Sequence, residues 1–129
     1  YSYAVIHFNN GLHSLGTDRG EWEAALRDVG DVLKQKGQGA KLIFATSTPL
    51  KKPDMTEKAK ELNAIALNVM ADKGLPVNDL FGLMDPQERT LWSDTYHYHE
   101  AGRKMQAKQV AEHIRKLLPA PIAKEEKGK

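Results

Sequence analysis

The alternation of short β-rich runs with helical stripes constrains this chain more tightly than any other feature. Tyr1 to Phe8 (YSYAVIHF), Lys41 to Thr48 (KLIFATST) and Leu75 to Leu80 (LPVNDL) have the length and apolar content of buried strands. The third is the weakest, because Pro76 is tolerated only near its start. Between the first two runs, Trp22, Ala25, Leu26, Val29 and Leu33 fall on one stripe of a helix over Glu21 to Lys36. Asp18 with Glu21 opens that helix as a capping box, and Gly37 stops it. Leu62, Ile65, Ala66, Val69 and Met70 form a second stripe, opened by Asp54 with Glu57 and stopped by Gly74. A last helix from His99 or Glu100 to Leu118 is expected to bury Ala107, Val110, Ala111, Ile114, Leu117 and Leu118, and Pro119 ends it. Such an order builds a parallel sheet with helices on its faces. The fold class is therefore α/β, a three-layer α/β/α, flavodoxin-like arrangement over residues 1–118, followed by a mobile Pro- and Lys-rich tail over 119–129. Three strands make a thin sheet, so the expectation is the C-terminal part of a doubly wound domain cut just before a strand.

Composition removes whole classes of function. At 129 residues one domain is expected, and 19 Lys and Arg against 17 Asp and Glu are too evenly balanced for a nucleic-acid surface. No apolar run approaches the roughly 18 residues needed to span a bilayer. With no cysteine there is no disulfide framework, thiolate zinc site or cysteine nucleophile, and the compartment is left open, secretion or periplasmic export included.

In open α/β sheets chemistry gathers beyond the C-terminal ends of the strands. Here those are Asn9 to His13, Ser47 to Pro49, and the aperiodic stretch Phe81 to Tyr98, a long loop with one helical turn around Asp85 to Thr90. Within Ser93 to Gly102 (SDTYHYHEAG), Asp94 precedes His97 by three residues. That spacing lets a carboxylate reach the imidazole Nδ1, fix its tautomer and stabilise the imidazolium formed when Nε2 takes a proton. A surface turn with a capping Asp would show the same spacing. Asn9, at the end of the first strand, can donate to negative charge developing on a substrate oxygen. Asn9-Asn10-Gly11 is equally ordinary turn chemistry.

Other side chains divide between chemistry and packing. His13 is either a substrate contact or a plain loop residue, and Trp92 either walls a substrate pocket or packs in the core. Trp22 belongs to the buried stripe, His99 competes with His97 for the base role, and His113 faces solvent. A metal set of Asp94, His97 and His99, with His7 in reserve, is the rival from a different chemistry. A non-catalytic, accessory flavodoxin-like chain is the rival without any chemistry.

Taken together, these segments resemble the SGNH, or GDSL-type, serine hydrolases from Tyr1 to about Leu118. YAVIHFNNG is similar to that family's strand ending in Gly-x-Asn-Asp, with Asn9 at the oxyanion-hole Asn; SDTYHYHEAG is similar to its Asp-x-x-His before the final helix, with Asp94 and His97 as catalytic acid and base. ATSTPL, Ala45 to Leu50, is similar to the Thr-rich, Pro-ended strand tip between them. His7 stands where the family has Gly, and Asn10 where it has Asp. The Gly-Asp-Ser block with the nucleophile and the next Gly block lie upstream in the family, and Ser2, Ser14, Ser47 and Ser93 are in unlike contexts. The resemblance implies esterase or lipase chemistry on a small ester or acylated sugar. It implies no cofactor, metal, nucleic acid or membrane span, and it requires a missing N-terminal segment or another chain to supply the serine.

Overall fold

The computed structural model describes residues 2–120, so most of the expected tail lies outside the described residues. Three parallel strands, β1 (Val5–Phe8), β2 (Lys41–Ala45) and β3 (Val77–Asn78), pair in the order β1-β2-β3, with Phe8 beside Phe44 and Ala45 beside Asn78. The helices are α1 (Arg19–Lys36), α2 (Pro53–Lys73), α3 (Leu80–Met84) and α4 (Glu100–Leu117). The expected α/β class and strand–helix order are present.

Side chains alternate across a strand, and that alternation sorts the layers. Phe8 and Phe44 meet edge to face at 5.4 Å and point toward α1 and α2, where Trp22, Leu26, Leu62, Ala66, Val69 and Met70 close the main core. His7 points to the opposite face, which α4 covers. There the contact is polar. Gln109 Nε2 donates to Asn78 Oδ1 at 2.8 Å and to Asp79 O at 3.1 Å, so the Asn78 amide turns its Nδ2 toward His7 Nε2, 3.2 Å away. His113, expected to face solvent, is half-buried, and its Nδ1 lies 2.9 Å from Gln109 O.

Several expectations are corrected. Gly102 is the one fully buried residue of α4, while Ala107, Ala111 and Leu118 are exposed and Val110, Ile114 and Leu117 half-buried. In α1, Ala25 and Val29 are exposed, because the buried stripe passes through Trp22, Leu26 and Gly30. Asp18 caps α1 as expected, accepting from Glu21 N at 3.0 Å, but α2 begins with Pro53 in its first turn and without side-chain capping by Asp54. The loop 81–98 is more structured than its lack of period implied. Asp79 caps the short α3, and a 3-10 turn spans Arg89–Leu91.

Residues 46–50 leave the sheet yet stay buried, so their peptide groups need partners. Thr46 N donates to Asn78 O. Asn63 brackets Ser47, accepting from its N–H and donating to its carbonyl, each at 2.9 Å. Leu50 N donates to Thr56 Oγ1 at 3.0 Å.

Two outcomes are expected. Asn63→Ala strands two buried peptide groups, Ser47 N–H and Ser47 C=O, costing about 2–5 kcal/mol in urea unfolding. Burial, then the nearby His113 charge, holds the His7 pKa below its ordinary 6.5. Its neutral state therefore contributes stability that is present above pH 6.5 and lost as pH falls below that value toward the lowered folded pKa. His7→Gln should flatten the acid limb of a Tm-against-pH curve.

Candidate active site

β1 ends at Phe8, and Asn9 follows directly, solvent-exposed, with its Nδ2 donating to Ala45 O at 2.7 Å. That bond ties the amide to the last residue of β2 and fixes its direction. An amide nitrogen carries two hydrogens, so one is left for a ligand. Two residues on, Gly11 passes so close to the segment beyond β2 that a Cβ there would collide with Ser47 Oγ unless that hydroxyl turned away. The chain then turns through Leu12–Ser14, a 3-10 turn holding His13 exposed.

Asp94 and His97 sit on the loop before α4, and the expected contact is made: His97 Nδ1 lies 2.9 Å from Asp94 Oδ2 and 3.1 Å from Oδ1. Asp94 Oδ1 also accepts the backbone N–H of Tyr96 and of His97, each at 2.8 Å. The His97 N–H, the Tyr96 N–H and then the His97 ring draw the Asp94 pKa down to about 2. The carboxylate is thus an acceptor at any ordinary pH, which puts the imidazole proton on Nδ1 and leaves the Nε2 lone pair outward. Both side chains are well exposed, His97 at 78% and Asp94 at 57%.

His97 stands between two grooves, each of about 540 Å³. One is walled by Leu12, His13, Leu15, Met55 and Tyr96, the other by Thr48, Ser93, Asp94, Arg103 and Gln106 together with Leu12 and Tyr96. His13 therefore shares a groove with His97, whereas Asn9, at the C-terminal end of β1, lines neither groove. Trp92 does not line either groove. The residue is 1% exposed, and its Nε1 donates to Pro49 O, so it occupies the packing role rather than a pocket wall. His99 is the residue at the start of α4, with its N–H on Leu91 O.

The rival metal set is not assembled: among the described residues no three His, Cys, Asp or Glu side chains converge on one point, and His7 is committed to Asn78. Tyr96 and Met55 were missed as groove residues. Tyr96 sits inside the Asp-x-x-His motif and was legible there, whereas Met55 arrives from α2, which no local pattern discloses.

This is a parallel α/β sheet with an oriented carboxylate–imidazole pair at its C-terminal edge. No protein-family model matches the chain, and no curated protein matches it. Solved structures do. A lipase/acylhydrolase from Enterococcus faecalis superposes with a TM-score of 0.67 at 24% identity, over 92% of this chain and 64% of that one. For an acetylxylan esterase from Geobacillus stearothermophilus the TM-score is 0.69 at 14% identity, over 92% and 63%. A GDSL-like lipase from Bacteroides thetaiotaomicron gives 0.68 at 12%, over 89% and 63%. The chain has the fold of the GDSL, or SGNH, lipolytic hydrolases and spans less than two thirds of the length of these three structures.

The Asp94 carboxyl 13C resonance should titrate near pH 2, its depressed pKa marking stability that is present above the ordinary 3.8 and lost as pH falls through about 2. A midpoint near 4 would mean that the three hydrogen bonds are not made in solution.

Proposed function

We propose that this chain is the C-terminal part of an SGNH/GDSL-type hydrolase that cleaves carboxylic esters through an acyl-enzyme. The observation that carries the reading is the Asp94 carboxylate on His97 Nδ1 at 2.9 Å, with the other face of the ring open to two grooves. His97 acts as base and Asp94 holds its tautomer. Asn9 is one oxyanion donor, and His13 contacts substrate from the rim. The nucleophilic serine comes from polypeptide outside these 129 residues, upstream in the parent or in another chain.

Chemically, the serine Oγ adds to the ester carbonyl while His97 Nε2 takes its proton, and the carbonyl oxygen becomes an oxyanion held by Asn9. The C–O bond to the alcohol then breaks as Nε2 returns the proton to the leaving oxygen. Water repeats the sequence on the acyl-enzyme, releasing the acid and restoring the serine. The substrate is a small ester or an acylated sugar. Support for the sugar is that one structural neighbour is named an acetylxylan esterase.

The test is turnover of p-nitrophenyl acetate and butyrate by the full polypeptide that carries this sequence. His97→Ala is expected to lower kcat/KM by about 10²–10⁴-fold, and Asn9→Ala by about 10²–10³-fold, chiefly in kcat. The isolated 129 residues are expected to be inactive. Turnover that survives His97→Ala overturns the assignment.

A further inference from the structure

The turn that carries Asp94 and His97 belongs to neither a helix nor the sheet. Its ends meet in an isolated antiparallel bridge between Trp92 and Tyr98, and Ser93 N donates to His97 O at 2.9 Å inside it. The two bridging residues turn inward, with ring centroids 4.5 Å apart. Both donate to the same atom: Trp92 Nε1 lies 3.1 Å and Tyr98 OH 3.0 Å from Pro49 O. A carbonyl oxygen has two lone pairs, so these two donors saturate it. Pro49 is itself fully buried just beyond β2 and has no N–H of its own to satisfy. Lys51 N adds a backbone bond to Thr95 O at 3.0 Å.

The surroundings lock this arrangement. Arg89 covers the outer face of the Trp92 ring at 4.5 Å, and α4 closes over Tyr98 so tightly that a Cβ at Gly102 would come within 2.8 Å of its Cδ1. Burial pushes the Tyr98 phenol up to about 12, so it remains a donor at every physiological pH. Apolar burial alone would be met by phenylalanine at either position. Two polar donors aimed at one acceptor do something more specific, which is to fix the turn at one distance and one angle from the end of β2.

We infer that Trp92 and Tyr98 are positioning residues that hang the Asp94–His97 turn from the Pro49 carbonyl and thereby hold the imidazole against its carboxylate. The catalytic meaning of this rests on the ester-hydrolase reading; the structural claim does not.

The experiment measures the His97 ring tautomer by 15N-resolved NMR in the full polypeptide, for Tyr98→Phe and Trp92→Phe, which each remove one donor and leave an aromatic ring. The Nδ1–H fraction relative to Nε2–H is expected to fall by between about 2- and 10-fold in each, the range that one net hydrogen bond supplies. Leu62→Val, in the core on the far side of the sheet, serves as a control that lowers Tm without touching the turn. It is expected to leave the tautomer ratio unchanged. In the ester assay both aromatic variants should lower kcat with KM nearly constant. An unchanged tautomer ratio in folded Tyr98→Phe and Trp92→Phe overturns the inference, as does an equal change in Leu62→Val, and as does failure of both aromatic variants to fold, which would make the pair general core. If esters are turned over equally well without His97, the hydrolase reading fails while the tautomer result still decides the positioning claim.

Discussion

A buried stretch of backbone without a strand partner is the constraint on which this molecule turns. Residues 46–50 run on from β2 into the interior, where water cannot satisfy a peptide group and an unmet one costs about 1–3 kcal/mol. The sequence answers with side chains drawn from distant elements: Asn63 and Thr56 of α2, and Trp92 and Tyr98 of the pre-α4 turn. Each of these reaches the same short segment, so α2 and the turn are indexed to one another through it. Thr46 extends the set, donating from Oγ1 to Asp79 Oδ1 while accepting the Phe81 N–H, which seats the start of α3.

Polar satisfaction in this fold therefore does what apolar packing cannot. The core between the sheet and α1 and α2 supplies non-directional adhesion through Phe44, Leu62, Val69 and Met70. Hydrogen bonds supply direction at the residues that follow the strands and in the turn before α4. Asn9 is aimed by Ala45 O, and Asp94 by two backbone N–H groups of its own turn. The site is built by local geometry laid over a segment that is itself fixed at long range.

Legibility in the sequence followed the range of the interaction. Strands, the three long helices and the Asp94–His97 contact were readable because their signals are local: stripe periodicity, glycine and proline stops and a three-residue offset. The burial of α4 was misjudged because apolar residues at helical spacing say which face is greasy, not how much of it is covered, and Ala107 and Ala111 face solvent. Trp92 was ambiguous because a tryptophan beside a motif looks the same whether its ring faces a pocket or its indole N–H meets Pro49, 43 residues away in sequence. The short α3 was missed although Asp79 followed by Leu80, Phe81, Leu83 and Met84 carries a capping signal; the loop around it had no sustained period to prompt the search. His7 read as one residue of a strand, and its pairing with Asn78, 71 residues on, had no local trace.

The polar seam under α4 has a mechanical consequence. A helix resting on aliphatic side chains alone can roll or slip by fractions of a turn at small cost, whereas Gln109, donating to both Asn78 and Asp79, gives α4 a directional tie to the end of β3. His99 opens that same helix two residues after His97, so the turn that bears the imidazole runs directly into an element tied to the sheet by directional bonds.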